Sequence, residues 1–346
     1  MDEIAKLPNT ERNVLFQEAA NRRGLRTQIF EKDFWVCWTL KKLFEIDEIG
    51  SQLVFKGGTS LSKLYKLIER FSEDIDVAID RGYLGFADQH DLRLLTARER
   101  DKVVSELDAA CKEVVQGYLF HSLKTSFSKI LEEPSADHWD LTIDQNDRFG
   151  QTILFYYPRE NSDNAEVKYL KPVVKIELGA RPENQPVESH YISPYAAEEF
   201  PGMFTQPKTE ILVLSAERTF WEKATILHDQ YYREANYLAA ERISRHYYDF
   251  YKLAKSSVYH KALENVGILE SVVINKKSFF YRAASRYEET LAGHLHLVPT
   301  VERLKLLESD YREMAREGYF FNEPPPFEEI LELLKEVEKT INSTLS

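Results

Sequence analysis

Two aspartates, Asp74 and Asp76, stand at alternate positions in the segment Phe71-Ser-Glu-Asp-Ile-Asp-Val77. In a β-strand successive side chains point to opposite faces, so both carboxylates share one face while Ile75 and Val77 face the core. Two carboxylates on one face repel each other unless a cation lies between them. Their oxygens suit Mg²⁺, which keeps several waters and takes substrate phosphates as further ligands. The spacing therefore predicts a metal site that acts on phosphates.

A Gly-Gly turn precedes the aspartates, in the segment Lys56-Gly-Gly-Thr-Ser-Leu-Ser-Lys63. Gly57 and Gly58 let the backbone come close to a phosphate, whose oxygens can accept hydrogen bonds from N–H groups and hydroxyls. The surrounding pattern predicts a strand, this turn, a short helix and a second strand over about 52–80. A Gly-Gly turn or an Asp-x-Asp pair alone is common, but their combination in one unit favours a nucleotide and metal site.

A second charged pair, Lys175 and Glu177, shares one face of a strand predicted over 172–179. Two explanations are open for charged side chains on an otherwise apolar strand. The first is a satisfied ion pair between the two. The second is that Glu177 approaches Asp74 and Asp76 from a neighbouring strand as a third acidic group.

The elements that must position these residues fall into two regions. The pattern predicts helices over 9–22, 28–46 and 95–119, then a change to alternation with a hairpin (139–144 and 151–157) and strands at 172–179 and 187–192. A proline-containing crossing follows at 193–210, and Ser215 is a good N-cap for a helix over 216–230. Further helices are predicted over 237–256, 258–265, 268–286, 299–317 and 326–342. The predicted fold class is α+β, with an N-terminal domain (1–205) built on a mixed sheet and a helical C-terminal domain (206–346) that completes the active-site cleft.

Composition narrows the class of protein. A chain of 346 residues with 43% hydrophobic residues can form two folded domains. No apolar run approaches the ~18 residues of a membrane span, so no membrane partner is expected. Two lone cysteines, Cys37 and Cys111, favour a reducing compartment, and we expect a cytoplasmic protein. The net charge of −12 counts against a nucleic-acid partner but does not exclude one, because basic residues gather locally.

Five motifs together resemble a known family, with the Gly-Gly and Asp-x-Asp segments counted as one motif. The Gly-Gly and Asp-x-Asp segments resemble the nucleotidyltransferases of the DNA polymerase β-like superfamily, and more closely the AbiEii/MenT group of bacterial toxin nucleotidyltransferases. Three further segments are similar to motifs of that group: Glu31-Lys-Asp-Phe-Trp-Val36, Arg218-Thr-Phe-Trp-Glu-Lys-Ala-Thr-Ile-Leu-His228 and Arg245-His-Tyr-Tyr-Asp-Phe-Tyr-Lys-Leu253. Lys175-Ile-Glu177 resembles its second charged strand. The matches run from about 31 to 253 in the order of the family.

The resemblance implies a role for each matched residue. Asp74 and Asp76 would bind Mg²⁺ or Mn²⁺, with Glu177 as a third carboxylate. Lys223 would contact the triphosphate, and Asp249 would support Lys223 or the acceptor hydroxyl, so Asp74, Asp76, Lys223 and Asp249 are the predicted catalytic residues. The predicted nucleotide-binding residues are Gly57, Gly58, Thr59, Ser60, Lys63, Lys175 and Lys223. Structural alternatives stay open: an ion pair within its own helix for Lys223, and an i,i+4 pair with Arg245 for Asp249.

The implied function is transfer of a nucleoside monophosphate from an NTP to an RNA acceptor, by resemblance the 3′ end of tRNA. Such a protein would be the toxin of a toxin–antitoxin or phage-defence system, with a separately encoded antitoxin. One alternative is an enzyme that transfers AMP to hydroxyl side chains of proteins, which the acidic composition favours. Another is a non-catalytic NTP-binding module of a defence complex.

Overall fold

The described part of the chain is centred on a seven-stranded mixed sheet. The computed structural model describes residues 1–88, 91–132, 138–159, 171–234 and 242–346. The strands are β1 (Leu53–Lys56), β2 (Ile75–Ile79), β3 (Asp140–Ile143), β4 (Thr152–Tyr156), β5 (Val174–Gly179), β6 (Val187–Ile192) and β7 (Thr209–Leu214). They lie in the order β3-β4-β5-β2-β1-β7-β6, with both parallel and antiparallel pairs. The predicted mixed sheet, including the β3–β4 hairpin, is confirmed.

The middle strand is β2, and each of its two neighbours places a charged residue directly beside Asp76. β1 is antiparallel to β2 and pairs Lys56 with Asp76, whereas β5 is parallel and pairs Glu177 with it. Ile75 and Val77 are buried on the other face of β2, so the hydrophobic core fixes the direction of the Asp76 carboxylate. The register therefore places Glu177 beside Asp76, and its role as a third acidic ligand stays a prediction.

Helices surround the sheet and make up nearly all of the chain after it. They are α1 (Asp2–Ala5), α2 (Asn9–Arg23), α3 (Thr27–Phe44), α4 (Gly57–Lys63), α5 (Ala97–Val114), α6 (Phe120–Leu131), α7 (Tyr195–Glu199), α8 (Ala216–Tyr231), α9 (Ser244–Ala254), α10 (Ser257–Glu264), α11 (Gly267–Phe279), α12 (Val301–Arg316) and α13 (Phe327–Leu345). The hydroxyl of Ser215 accepts a hydrogen bond from the Arg218 backbone N–H, so the predicted N-cap of α8 is confirmed. The predicted fold class, α+β, is confirmed.

The buried apolar residues of the described chain form two main cores. The first joins the sheet to α2, α3, α5 and α6, with Trp35, Trp38 and Phe155 in mutual ring contact. The second joins helices α8 to α13. Leu61 of α4 belongs to the second core, and Phe279 of α11 belongs to the first. Because each of these two residues packs in the core of the other region, they connect the sheet region to the helical region.

Two elements differ from the sequence prediction. The pattern predicts alternating structure after 120, but the chain continues from α5 through a π-helical turn (Val115–Leu119) into α6. The pattern predicts a helical domain after 205, but β7 pairs with β1 and β6 as part of the sheet. Its last four residues (211–214) are all apolar, so the alternation typical of an amphipathic strand is absent there. The domain boundary itself stays a prediction.

The start of the helix predicted over 237–256 lies outside the described residues, since 235–241 are not described; α9 begins at Ser244. Across the described ranges, no helix is both long enough and apolar enough to cross a membrane.

Candidate active site

A cleft lies between the central strands of the sheet and helices α8 and α9. Its volume is about 180 Å³. Six predicted residues line it: Gly57, Gly58, Asp74, Asp76, Glu177 and Lys223. The other lining residues are Lys56, Arg70, Ser72, Thr219, Glu222, Ile226, Arg245 and His246. The fold therefore brings together residues from both regions of the chain, as the cleft prediction requires.

The Gly-Gly turn touches the acidic strand directly. Gly57 has φ +81°, and a Cβ there would lie 2.0 Å from Oδ2 of Asp76. A Cβ on Gly58 would lie 2.7 Å from Nη2 of Arg70 and 2.8 Å from Oγ of Ser72. Because both the positive φ and the close approach exclude a side chain, Gly57 is required for the backbone to reach the Asp76 carboxylate.

The hydroxyls that follow the turn hold the backbone of the site. Thr59 donates from Oγ1 to the Asp74 carbonyl oxygen at 2.6 Å, and Ser60 donates from Oγ to the Gly57 carbonyl oxygen at 2.8 Å. Both side chains are buried, and neither lines the cleft. Their hydrogen bonds fix the turn against Asp74.

The carboxylates of Asp74, Asp76 and Glu177 lie close enough to affect one another. Burial raises the pKa of Asp74, and the negative charges of Glu73 and Glu177 raise it further. Burial also raises the pKa of Asp76, with added contributions from Glu177 and Asp74. Within the described ranges, no three acidic, histidine or cysteine side chains are arranged to hold a metal ion. The three carboxylates are neighbours that concentrate negative charge, but they are not a preformed three-ligand set.

Lys175 forms an ion pair with Glu177 on the same face of β5. This contact agrees with the first explanation for the charged pair, a satisfied ion pair between the two residues. Lys175 does not line the cleft, and its predicted contact with a nucleotide stays a prediction.

Lys223 and Asp249 meet across helices α8 and α9. The Lys223 ammonium donates to Oδ2 of Asp249 at 2.7 Å and lies 3.2 Å from Nδ1 of His246. Burial lowers the pKa of Lys223, and the positive charges of Arg70 and Arg245 act in the same direction, whereas Asp249 opposes them. Burial and the charges of Lys223 and Arg245 hold the pKa of His246 well below its usual value, so His246 is neutral and its Nδ1 can accept a hydrogen bond from the ammonium.

Asp249 is held from the opposite side by Arg70. Nε and Nη2 of Arg70 donate to Oδ1 and Oδ2 of Asp249 at 2.7 and 2.8 Å. Burial acts to raise the pKa of Asp249, but the charges and hydrogen bonds of Arg70 and Lys223 outweigh it and hold that pKa well below its usual value. The i,i+4 pair with Arg245 and the ion pair within α8 are therefore not the contacts that Asp249 and Lys223 make.

Lys63 lies in a buried ion pair instead of in the cleft. Its ammonium is 2.6 Å from Oδ1 of Asp33 and 3.4 Å from the centroid of the Tyr195 ring. It therefore ties α4 to α3, and no structural feature supports its predicted contact with a nucleotide.

Sequence reasoning did not place several residues of the cleft. Arg70 precedes the Asp-x-Asp segment by only a few positions, and Lys56 precedes the Gly-Gly turn directly. Lys56 forms a 3.4 Å ion pair with Glu222, which joins β1 to α8. In the sequence, Arg70 and Lys56 are marked only by their position next to a motif. That position does not show where a long side chain points.

Comparison with known proteins identifies the class. The family described as nucleotidyl transferase AbiEii toxin, type IV toxin–antitoxin system, matches residues 38–333. The chain is thus a nucleotidyltransferase, which the site geometry accommodates. It belongs to the AbiEii toxin family of type IV toxin–antitoxin systems, and the predicted resemblance is confirmed. This membership implies a nucleotide substrate and an antitoxin partner.

A solved structure of MenT4, a nucleotidyltransferase toxin from Mycobacterium tuberculosis H37Rv, is also similar. The two chains are 16% identical, with a TM-score of 0.43 and coverage of 95% of this chain and 97% of that chain. A search of curated proteins found no match.

Proposed function

We propose that this nucleotidyltransferase passes a nucleoside monophosphate from an NTP to the 3′ end of tRNA, with release of pyrophosphate. A tRNA altered at that end could not be charged with an amino acid, and translation would stop. The proposal is supported chiefly by the cleft, in which Gly57, Asp76 and Lys223 line one space of about 180 Å³.

Asp74 and Asp76 are the proposed ligands of Mg²⁺ or Mn²⁺. The chemistry of the donors fits a hard divalent cation, because carboxylate oxygens are neighbours there, and burial together with nearby negative charge raises the pKa of both aspartates. A bound metal ion would offset the charge that develops on the phosphate oxygens during transfer. Glu177 is the proposed third ligand, and its carboxylate would first have to exchange its contact with Lys175.

Lys223 is the proposed triphosphate contact. An ammonium group has three N–H donors, of which Asp249 and His246 receive two, and the third is proposed to reach a phosphate oxygen. Asp249 accepts two hydrogen bonds from Arg70 and holds the Lys223 ammonium at the wall of the cleft. Arg245 adds positive charge to the same wall.

The acceptor can be identified by labelling. The protein is incubated with each α-³²P-labelled NTP and with either purified tRNA or a protein lysate, and the products are separated by size. We expect label on tRNA. We expect no label on tRNA whose 3′ terminal diol has been oxidised with periodate, since the attacking hydroxyl is then lost.

Label on protein with none on tRNA would contradict the tRNA proposal and would instead support transfer to hydroxyl side chains. A salt series on the same reaction adds a second criterion. Binding of tRNA should weaken steeply as salt rises, because phosphate contacts release counterions.

A further inference from the structure

A much larger groove adjoins the cleft, between α5 of the sheet region and α8 and α11 of the helical region. Its volume is about 970 Å³, compared with about 180 Å³ for the cleft. Binding sites for small ligands usually occupy about 300–1,000 Å³. The cleft alone is therefore too small for an NTP together with an acceptor, and the groove provides the missing space.

Helix α8 connects the two spaces. Ile226 lines both of them. Thr219, Glu222 and Lys223 line the cleft, and Asp229 and Gln230 line the groove. Spacings of three and four place these side chains on one face of the helix, over about 16 Å from Thr219 to Gln230. A ligand strand in the groove could reach the cleft along this face.

The lining of the groove is basic, although the whole chain carries a net charge of −12. Among the described residues that line it, six are basic and three are acidic. The basic residues are Arg100, Arg148, Arg181, Arg233, Arg282 and Lys276, and the acidic ones are Asp101, Asp108 and Asp229. Asp229 contacts both Arg233 at 2.9 Å and Arg282 at 2.8 Å, so this trio keeps a formal positive charge. The local excess of positive charge suits a polyanion.

Two exposed aromatic rings stand beside these cations. Phe280 and Tyr281 are 36% and 53% exposed. The Arg100 guanidinium lies 4.0 Å from the centroid of the Tyr281 ring, and the Lys276 ammonium lies 5.0 Å from that of Phe280. Single-stranded nucleic acids are bound by cations along the backbone and by aromatic rings that stack on bases. The rings therefore favour an RNA strand over an acidic protein segment.

We infer that this groove binds the single-stranded 3′ segment of the RNA acceptor and leads its end along α8 into the cleft. Arg148, Arg100 and Lys276 contact phosphates, and Phe280 and Tyr281 stack on bases. The inference rests on the proposed RNA acceptor, and it adds the surface on which that acceptor is held.

The test compares three variants of the full chain: Arg148→Glu, Tyr281→Ala and the control Lys102→Glu. Arg148 is exposed, and Lys102 carries the same charge on α5 with a 74% exposed side chain that does not line the groove. Affinity for fluorescein-labelled tRNA is measured by anisotropy over a salt series, and affinity for a fluorescent NTP analogue is measured in parallel. Thermal melting confirms that each variant is folded.

We expect Arg148→Glu to weaken tRNA binding by about tenfold and to reduce the salt slope by about 0.7, the value for one lost phosphate contact on a single strand. Tyr281→Ala should weaken it by about five- to tenfold through lost stacking. Affinity for the NTP analogue should stay within about twofold for both, and Lys102→Glu should match the parent protein in both assays.

Three results would overturn the inference, and they can be told apart. If the parent protein neither binds nor labels tRNA, the proposed function fails and the inference fails with it. If the parent protein labels tRNA but Arg148→Glu and Tyr281→Ala behave like Lys102→Glu, only the groove assignment fails. If affinity for the NTP analogue falls along with that for tRNA, the groove holds the nucleotide instead of the acceptor.

Discussion

Asp76→Asn is expected to lower nucleotidyl transfer by at least about 10³-fold, equivalent to about 4 kcal/mol of transition-state stabilisation. The amide keeps the shape that packs against Gly57 but removes the charge proposed to hold the metal ion. The rate of label transfer from an α-labelled NTP measures this effect. Asp80→Asn is a matched control, because Asp80 directly follows the other end of β2 and does not line the cleft.

The same substitution should not destabilise the protein. Burial and the charges of Glu177 and Asp74 all act against an ionised Asp76, so a neutral amide relieves repulsion. Thermal melting without metal should therefore give a Tm equal to or above that of the parent protein. Full activity in Asp76→Asn would remove the basis for placing the metal site at this strand.

Arg70→Met is expected to destabilise the fold by about 3–5 kcal/mol, because it leaves the buried Asp249 carboxylate without its bidentate partner. Arg70 joins the segment before β2 to α9, so its loss also loosens the contact between the two regions of the chain. Unfolding in urea, followed by circular dichroism, measures the change in the free energy of unfolding.

The triple variant Arg70→Met/Lys223→Met/Asp249→Leu should recover much of the lost stability, since it removes the buried Asp249 carboxylate together with both of its cationic partners. It should remain inactive, because it lacks the proposed triphosphate contact. Equal stability of the single and triple variants would contradict the contribution assigned to these ion pairs.

Acid should act through Asp249 in a defined direction. The folded-state pKa of Asp249 is held below the ordinary carboxyl value of about 4. Its stabilising contribution is therefore present above that ordinary pKa and is lost as the pH falls through the lower, folded-state value. The triple variant should lose less stability on acidification than the parent protein does.

The sequence predicted the parts of the site that depend on local pattern. Alternation along β2 and β5 placed Asp76 and Glu177 on their strands, and the registers of both strands then brought these residues level. The family resemblance joined Lys223 to Asp249, and the structure shows them 2.7 Å apart.

Contacts over long sequence distances could not be predicted in this way. Arg70 and Asp249 are separated by 179 positions, and no periodicity connects them. The long side chain of Lys63 could reach either the cleft or the core. It lies in the core, because it pairs there with the buried carboxylate of Asp33. The two contacts share a property: each was set by packing between elements, which a single sequence does not encode in any local pattern.

The central claim is that the cleft performs nucleotidyl transfer, in which the α-phosphorus of an NTP passes to the acceptor. The most direct measurement compares tRNA incubated with the same NTP labelled at the α- or the γ-phosphate. The account predicts that the α-label becomes covalently attached to tRNA, while the γ-label is released as pyrophosphate. Attachment of the γ-label would show phosphoryl transfer instead and would contradict the account.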